Sequence, residues 1–137
     1  MAPQGILETC LYADDLDRAE RFYSRVLGLE LVDRARDRHV FFRCGDQMLL
    51  IFRPSLSNQR QPMGTVAPPP HGATGPGHVC FRAFDHEIPR WIERLTAAGV
   101  RIEADFTWPT GGRSIYFRDP AGNSLEFAEP RIWSNRS

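Results

Sequence analysis

The hydrophobic pattern opens with a predicted β-strand over Gly5–Ala13, whose side chains divide between two faces. One face would carry Ile6, Glu8, Cys10 and Tyr12, and the other Leu7, Thr9 and Leu11. After the cap signal Asp14-Asp15, apolar residues recur every three or four positions as far as Gly28, which predicts an amphipathic helix that ends at a glycine. Three short strands are predicted next, at Leu29–Arg34, His39–Arg43 and Gln47–Arg53.

The same order of elements begins again at Gly77. A strand is predicted over Gly77–Phe84, then a second helix with Asp85 as its cap and Gly99 at its end. Further strands are predicted at Val100–Thr107, Arg113–Arg118 and Ser124–Glu129, the last two joined by the turn sequence Asp119-Pro120-Ala121-Gly122-Asn123.

Between the two patterns, the segment Pro54–Pro76 contains six prolines with Ser, Asn, Gln and Gly among them. This composition is typical of a linker or a long surface loop. A loop of about 20 residues without secondary structure is usually functional or mobile in a compact domain.

The chain therefore contains one βαβββ unit twice. Gly28 corresponds to Gly99, and the strand residues 40–43 (Val-Phe-Phe-Arg) correspond to 115–118 (Ile-Tyr-Phe-Arg). One such unit cannot close a hydrophobic core alone, so two units are expected to pack together. The predicted fold class is α+β, with a single domain over 1–137. Module one covers about 5–54, the proline-rich loop 54–76, and module two about 77–130.

Composition narrows the range of functions. The chain has 137 residues, a formal net charge of zero and 25% charged residues, so electrostatic binding to nucleic acid is not expected. No apolar run approaches the roughly 20 residues of a membrane helix, and no leader pattern is apparent. Three cysteines without CxxC spacing indicate neither a disulfide framework nor a zinc ribbon. We expect a cytoplasmic protein that acts on a small molecule, without a membrane or nucleic-acid partner.

Three polar residues stand where the strand pattern favours apolar ones. Glu8 and His78 occupy equivalent places in the first strand of each module, and Glu126 lies in the last strand of module two. Carboxylates are depleted in strands and costly to bury unpaired. Two carboxylates and one imidazole suit a divalent cation and leave coordination positions open for substrate. Each residue alone has an ordinary reading as a solvent-facing, hydrogen-bonded or ion-paired side chain.

These residues lie in segments that resemble the vicinal oxygen chelate superfamily, which includes glyoxalases, bleomycin-resistance proteins and extradiol dioxygenases. The matching segments are Ile6 to Leu16, Phe22-Tyr23, Leu27-Gly28-Leu29, Gly77-His78-Val79 and Tyr116 to Glu126. The resemblance implies two βαβββ modules that form a U-shaped, partly closed barrel around one metal ion. It also implies a homodimer, whose site is completed within one chain or by strands of both subunits.

The resemblance implies that Glu8, His78 and Glu126 are the metal ligands. Glu8 stands where the family usually has a histidine, and the fourth ligand of glyoxalase I falls on Leu50 or its neighbour Ile51, neither of which binds metal. We therefore expect one divalent ion per site, among Mn, Mg, Fe, Ni, Co and Zn, but not glyoxalase I activity. One imidazole with two carboxylates is a ligand set rich in oxygen, which favours Mn²⁺ or Mg²⁺.

Other residues are candidates for substrate contact. Cys10 and Cys80 follow the first-strand ligands by two positions and share their faces, either as reactive thiols or as small core residues. Tyr116 is a candidate hydroxyl donor, or an aromatic core residue. Trp108 and Arg113 flank a Gly-rich loop at the expected mouth of the site. His71, in the proline-rich loop, is a candidate base or fourth ligand.

The predicted function is metal-dependent chemistry on a small substrate with two adjacent oxygens, in a lyase, isomerase or transferase reaction. The sequence does not identify the base. Glu8 is a candidate proton acceptor if it leaves the metal during turnover, and Tyr116 is a second catalytic candidate. One alternative is a non-catalytic binding protein of the bleomycin-resistance type. Another is thiol transfer of the fosfomycin-resistance type.

Overall fold

The computed structural model describes residues 1–62, 64 and 66–134. They divide into two compact units, the first ending at Gly75 and the second beginning at Pro76. Each unit contains one four-stranded mixed sheet with the order strand one, four, three, two. In the first unit the strands are β1 (Glu8–Tyr12), β2 (Glu30–Ala35), β3 (His39–Cys44) and β4 (Gln47–Phe52), with helices α1 (Leu16–Arg21) and α2 (Pro54–Ser57). The second unit has β5 (His78–Arg82), β6 (Ala104–Thr107), β7 (Arg113–Arg118) and β8 (Ser124–Ala128), with helix α3 (Ile88–Ala97) and a 3₁₀ turn (Pro130–Ile132).

The predicted βαβββ repeat is confirmed in both units. In each sheet the first strand pairs in parallel with the last, and the remaining pairs are antiparallel. The register pairs Cys10 with Leu50 in the first unit and Cys80 with Glu126 in the second. Leu50, rather than Ile51, therefore occupies the position of the first sheet that corresponds to Glu126.

Each sheet buries one face against its helix. In the second unit, the α3 residue Trp91 stacks on Phe127 of β8 at 4.2 Å between ring centroids. Phe127 pairs with Ile115 and Phe81 across the neighbouring strands, so these side chains share the helix-facing side. Because strand side chains alternate, the opposite face carries the polar candidates. We call this opposite side of the second sheet the polar face; it includes His78, Cys80, Ser114, Tyr116 and Glu126.

The first predicted helix begins as expected but is not α-helical throughout. The Asp15 side chain caps it by accepting a hydrogen bond from the Arg18 backbone N–H at 3.0 Å, and Gly28 ends it with φ of 74°. Between them, Phe22–Val26 form a π-helical turn. The wider turn brings the consecutive residues Phe22 and Tyr23 inward together, and both are buried. Apolar spacing alone did not reveal this change of helix type.

Two boundaries in the second unit differ from the prediction. Asp85 is not the helix cap: α3 begins after Glu87, while the Asp85 carboxylate accepts from the neighbouring His86 N–H at 2.7 Å. The strand predicted from Val100 begins at Ala104, because the Val100 N–H completes the end of α3 by donating to the Leu95 carbonyl. Local side-chain and helix-end hydrogen bonds thus compete with the predicted elements at both places.

The proline-rich segment is partly ordered by its own hydrogen bonds. Its first residues form α2, and the buried Ser57 hydroxyl donates to the His71 carbonyl at 2.7 Å. The His71 N–H donates in turn to the Ser57 carbonyl at 2.9 Å. These two bonds hold His71 on the first unit. Within the described residues, no helix is long and apolar enough to cross a membrane.

The predicted turn after β7 also positions the start of β5. Asn123 is 2% exposed, and its side-chain oxygen accepts from the Gly77 N–H at 2.8 Å. Its amide nitrogen donates to the Asp119 carboxylate at 2.9 Å. The turn is therefore bonded to the residue that precedes His78, which fixes the beginning of that strand.

Gly112 lets the chain pass close to the C-terminal turn just before β7. A Cβ atom at Gly112 would lie 2.5 Å from the Ile132 Cγ2 atom and 3.1 Å from the Ile132 backbone nitrogen. At Gly111 the nearest atom would be the Arg131 Nη1 atom, at 3.8 Å. Both glycines have positive φ, near 94° and 97°.

We expect Gly112→Ala to destabilise the protein more than Gly111→Ala. Both substitutions place a side chain at positive φ, which costs about 1–2 kcal/mol. Only Gly112→Ala adds a clash with the Ile132 side chain and a tight contact with the Ile132 backbone nitrogen, which should cost about 1–3 kcal/mol more. Urea unfolding of the two variants measures the difference. Equal losses would show that the close approach to Ile132 is not a constraint.

Candidate functional site

The polar face of the second sheet brings His78 and Glu126 together. The His78 Nε2 atom lies 3.3 Å from Glu126 Oε1, and Glu126 is 5% exposed. The His78 Nδ1 atom lies 2.9 Å from the Ser124 carbonyl oxygen, which can only accept, so Nδ1 carries the proton. In a neutral ring, Nε2 then presents a lone pair to a carboxylate oxygen. A cation bound between the two atoms would replace that unfavourable contact with two ligand bonds.

The second oxygen of Glu126 is held by hydrogen bonds from the neighbouring strand. Ser114 Oγ lies 2.6 Å from Glu126 Oε2, and Trp108 Nε1 lies 2.8 Å from Ser114 Oγ. Ser114 is fully buried, so its hydroxyl is not in contact with solvent. The sequence predicted Trp108 at the mouth of the site but did not indicate Ser114 as a partner of Glu126. The available signal was its position two residues before Tyr116 on the same strand face.

Aromatic rings extend the site across the sheet from His78. Tyr116 stacks with His78 at 6.2 Å between centroids and with Phe106 at 5.7 Å. Phe106 meets Trp108 edge to face at 4.9 Å. Burial, followed by the charge of Glu126, raises the pKa of Tyr116 to about 12. Tyr116 is therefore a protonated hydroxyl donor beside the pair, with an apolar surface next to it.

Both candidate cysteines are protonated thiols. Desolvation of the Cys80 sulfur, together with the Glu126 carboxylate, raises the pKa of Cys80 to about 12, although the residue is exposed overall. Burial likewise raises the pKa of Cys10. Because the thiolate is the nucleophilic form, these shifts favour the interpretation of both cysteines as small packing residues.

Glu8 lies in the first unit, exposed on β1 opposite Met48. Cys10 and Tyr12 share its strand face. Leu50, on β4, stands where the second unit has Glu126, so this sheet carries no carboxylate at that position. Among the residues that the structure describes, no cluster of three or more His, Cys, Asp or Glu side chains is arranged to hold a metal ion.

His71 is fixed against the same face of the first sheet. Its Nδ1 atom lies 2.7 Å from the Tyr12 hydroxyl, and its ring meets Phe52 edge to face at 4.5 Å. Burial, followed by contact with Cys10, raises the pKa of Tyr12 to about 12, so the phenol remains protonated. The sequence predicted neither Tyr12 nor Ser57 as partners of His71, because 59 and 14 residues separate them along the chain.

Arg113 is engaged in an ion pair. Its Nε and Nη2 atoms donate to the two Asp105 carboxylate oxygens, each at 2.8 Å. This hydrogen bonding raises the pKa of Arg113 and lowers that of Asp105. An anionic substrate group would have to compete with Asp105 for the guanidinium.

The donor set of the second unit fits a divalent cation. A histidine that binds metal usually donates its other ring N–H to a carbonyl or carboxylate, and His78 does so to Ser124. A ligating carboxylate is likewise held by hydrogen bonds, as Glu126 is by Ser114. Two ligand atoms from this unit would leave the remaining coordination positions to water or substrate.

Comparison with known proteins agrees with this fold. A crystal structure of lactoylglutathione lyase from Agrobacterium tumefaciens is 46% identical, with a TM-score of 0.91, and the match covers 97% of this chain and 98% of that one. A glyoxalase/bleomycin resistance protein/dioxygenase from Nocardioides is 25% identical, with a TM-score of 0.72 and coverage of 94% and 85%. The fosfomycin resistance protein FosX from Mesorhizobium loti, at 23% identity, a TM-score of 0.64 and 93% coverage of both chains, shares the fold.

The family model described as Glyoxalase/Bleomycin resistance protein/Dioxygenase superfamily matches residues 5–127. The match spans both βαβββ units and includes Glu8, His78 and Glu126. The resemblance found in the sequence is thereby confirmed, and the chain belongs to the Glyoxalase/Bleomycin resistance protein/Dioxygenase superfamily.

Proposed function

We propose that this protein is a metal-dependent enzyme that acts on a small substrate with two adjacent oxygens. The observation that carries the proposal is the facing of His78 Nε2 and Glu126 Oε1 at 3.3 Å, with His78 Nδ1 committed to a carbonyl. The proposed ligands are His78, Glu126 and Glu8, the last from its place in the repeat. One divalent ion per site is proposed, and the oxygen-rich set favours Mn²⁺ or Mg²⁺ over Fe, Ni, Co or Zn.

When bound, the cation supplies Lewis-acid stabilisation of the negative charge that develops on a substrate oxygen. The Ser124 carbonyl keeps His78 in one tautomer, and Ser114 orients Glu126. The protonated Tyr116 hydroxyl is placed to donate to a substrate oxygen. Its ring and that of Phe106 provide an apolar surface for the carbon part of the substrate. Glu8 is proposed as the proton acceptor when it is not bound to metal.

We expect the purified protein to bind about one divalent ion per chain, and His78→Ala to weaken that binding at least tenfold. Isothermal titration of chelator-treated protein with Mn²⁺ measures the affinity. His86→Ala is the matched control, since the His86 side chain is 72% exposed on a loop. Unchanged affinity in His78→Ala would contradict the proposed site. Glu8→Gln tests the third ligand separately.

A second candidate activity comes from the 46% identical relative, whose name is lactoylglutathione lyase. The comparison gives no support to our expectation that this chain lacks such activity. That expectation rests on Leu50, whose apolar side chain stands at the fourth ligand position, opposite Cys10. The apolar Leu50 favours the absence of lactoylglutathione lyase activity, whereas the 46% identical relative favours its presence. An enzyme assay decides between these two outcomes.

We expect the metal-loaded protein to isomerise the hemithioacetal of methylglyoxal and glutathione no faster than the His78→Ala variant. The reason is the missing fourth ligand at Leu50. Absorbance assays of thioester formation, with each first-row divalent metal in turn, provide the measurement. Robust turnover that is lost in His78→Ala would establish lactoylglutathione lyase activity and overturn the argument from Leu50.

Two other functions remain as alternatives. A non-catalytic binding protein of the bleomycin-resistance type would bind its ligand equally well with and without metal. A fosfomycin-type transferase would consume a thiol in a metal-dependent reaction. The likeness to FosX supports the shared fold alone. The paired His78 and Glu126 favour the metal-dependent enzyme over the binding protein.

We further propose a homodimer, as is common in this family. Each sheet by itself ends in two edge strands, β1 and β2 in the first unit and β5 and β6 in the second. Edge strands offer unpaired backbone groups to another chain, and C₂ dimers are the commonest closed assemblies. A cytoplasmic location is proposed with it, from the unpaired cysteines of the sequence.

Metal should stabilise this assembly. At a free metal concentration 100 times the dissociation constant, binding adds about 2.7 kcal/mol to the free energy of unfolding. We therefore expect the melting temperature to fall when a chelator is added, and light scattering to give twice the mass of one chain. A monomer whose melting temperature does not change when the chelator is added would contradict both the homodimer and its stabilisation by metal.

A further inference from the structure

We propose that Ser114 and Trp108 are positioning residues that hold the Glu126 carboxylate and leave its Oε1 atom to the metal. This inference rests on the proposed function, because it assigns a role around the same ligand. We refer to the hydrogen-bonded series Trp108–Ser114–Glu126 as the carboxylate relay. Its two bonds measure 2.8 Å and 2.6 Å.

The direction of both bonds follows from the chemistry of the donors. An indole N–H donates and cannot accept, so Ser114 Oγ accepts from Trp108. The one hydroxyl proton of Ser114 is then free to donate to Glu126 Oε2. Oε2 therefore acts as an acceptor, while Oε1 faces His78 Nε2 at 3.3 Å. The relay therefore makes the two carboxylate oxygens different: Oε2 accepts a hydrogen bond from Ser114, and Oε1 remains available to the metal.

Burial makes this arrangement hard to replace. Ser114 is 0% exposed and Glu126 is 5% exposed, so water offers no ready substitute for either partner. Without the Ser114 hydroxyl, the Trp108 indole would lose this acceptor and Glu126 Oε2 would lose this donor. A buried polar group left without a partner is costly, and the carboxylate could turn to find another one.

Backbone hydrogen bonds on both sides of Trp108 fix the position of the residue that begins the relay. The Trp108 N–H donates to the Gly112 carbonyl at 2.8 Å, and the Gly111 N–H donates to the Trp108 carbonyl at 2.9 Å. Gly112 lies too close to Ile132 to carry a Cβ atom. The indole is thus presented from a closed turn rather than from a mobile loop. Preorganised partners of this kind are what raise the affinity of a ligating carboxylate.

Metal binding should be detectable at Trp108. A cation on Glu126 Oε1 withdraws electron density from the carboxylate and weakens Oε2 as an acceptor. The Ser114 hydroxyl is then less polarised and becomes a weaker acceptor for the indole N–H, because hydrogen bonds in a series reinforce one another. The Trp108 indole proton should therefore shift upfield when metal binds.

The experiment uses the full chain freed of metal and then titrated with Mg²⁺ or Zn²⁺. Affinity is measured by calorimetry, and the three tryptophan indoles are followed in ¹H–¹⁵N spectra. The variants are Ser114→Ala and Trp108→Phe, with Trp133→Phe as a matched control, since Trp133 is 68% exposed in the C-terminal turn. Absence of one signal in Trp108→Phe assigns the Trp108 indole.

We expect Ser114→Ala to weaken metal binding about 10–100-fold, the usual effect of losing such a partner. Trp108→Phe should weaken it less, and Trp133→Phe should leave it unchanged. The Trp108 indole signal should move on titration in the wild type and stay fixed in Ser114→Ala. If Ser114→Ala does not fold, Trp108→Phe still tests the relay.

Three results would overturn the relay. If His78→Ala loses metal while Ser114→Ala and Trp108→Phe bind as tightly as Trp133→Phe, the relay has no role and the proposed function stands. If the variants only lower the melting temperature, while metal affinity is unchanged and the wild-type Trp108 indole signal does not shift on metal addition, the contact is purely structural. If the wild type binds no metal, the proposed function fails and the relay fails with it.

Discussion

The second unit depends on how it accommodates a buried carboxylate in the middle of a sheet. Glu126 is 5% exposed between two apolar neighbours, a position that is unfavourable for an unpaired charge. Ser114 donates a hydrogen bond to one oxygen of this carboxylate, and Tyr116 lies beside it. The other oxygen faces His78 Nε2 at 3.3 Å, where a bound cation would compensate the charge. The pairing of β8 with β5 on one side and with β7 on the other is what brings these side chains to Glu126.

The two units use one scaffold for different chemistry. Where the second sheet has Glu126, the first has Leu50, and no relay is needed there. The first unit instead places an imidazole and a phenol, His71 and Tyr12, beside its edge strand β1, with the Phe52 ring in edge-to-face contact with His71. A duplicated βαβββ unit can therefore keep its core and diverge on the opposite face, because alternating side chains separate the two.

Most helices and strands could be predicted from the sequence, because residues close together in the chain determine where they begin and end. Asp15 caps α1 and Gly28 ends it through contacts within a few residues. Glu8, His78 and Glu126 could be identified as candidate ligands from the sequence, because each is a polar residue at a strand position where the alternating pattern predicts an apolar one. The π-helical turn could not, since it accompanies the packing of Tyr23 against Phe42, which lies on a strand outside the helix. Asp85 failed as a cap because it bonds the adjacent backbone instead.

The sequence by itself determined the repeated unit, the two faces of each sheet and the residues that do not belong in an apolar strand. These three features follow from the periodicity of apolar and polar side chains, which can be recognised from the order of residues in the chain. The tertiary structure decided which groups become partners: Ser114 with Glu126, 12 residues apart, and His78 with the Ser124 carbonyl, 46 apart. Hydrogen bonds depend on strand register and on atoms within about 3 Å, and neither is visible until the chain has folded.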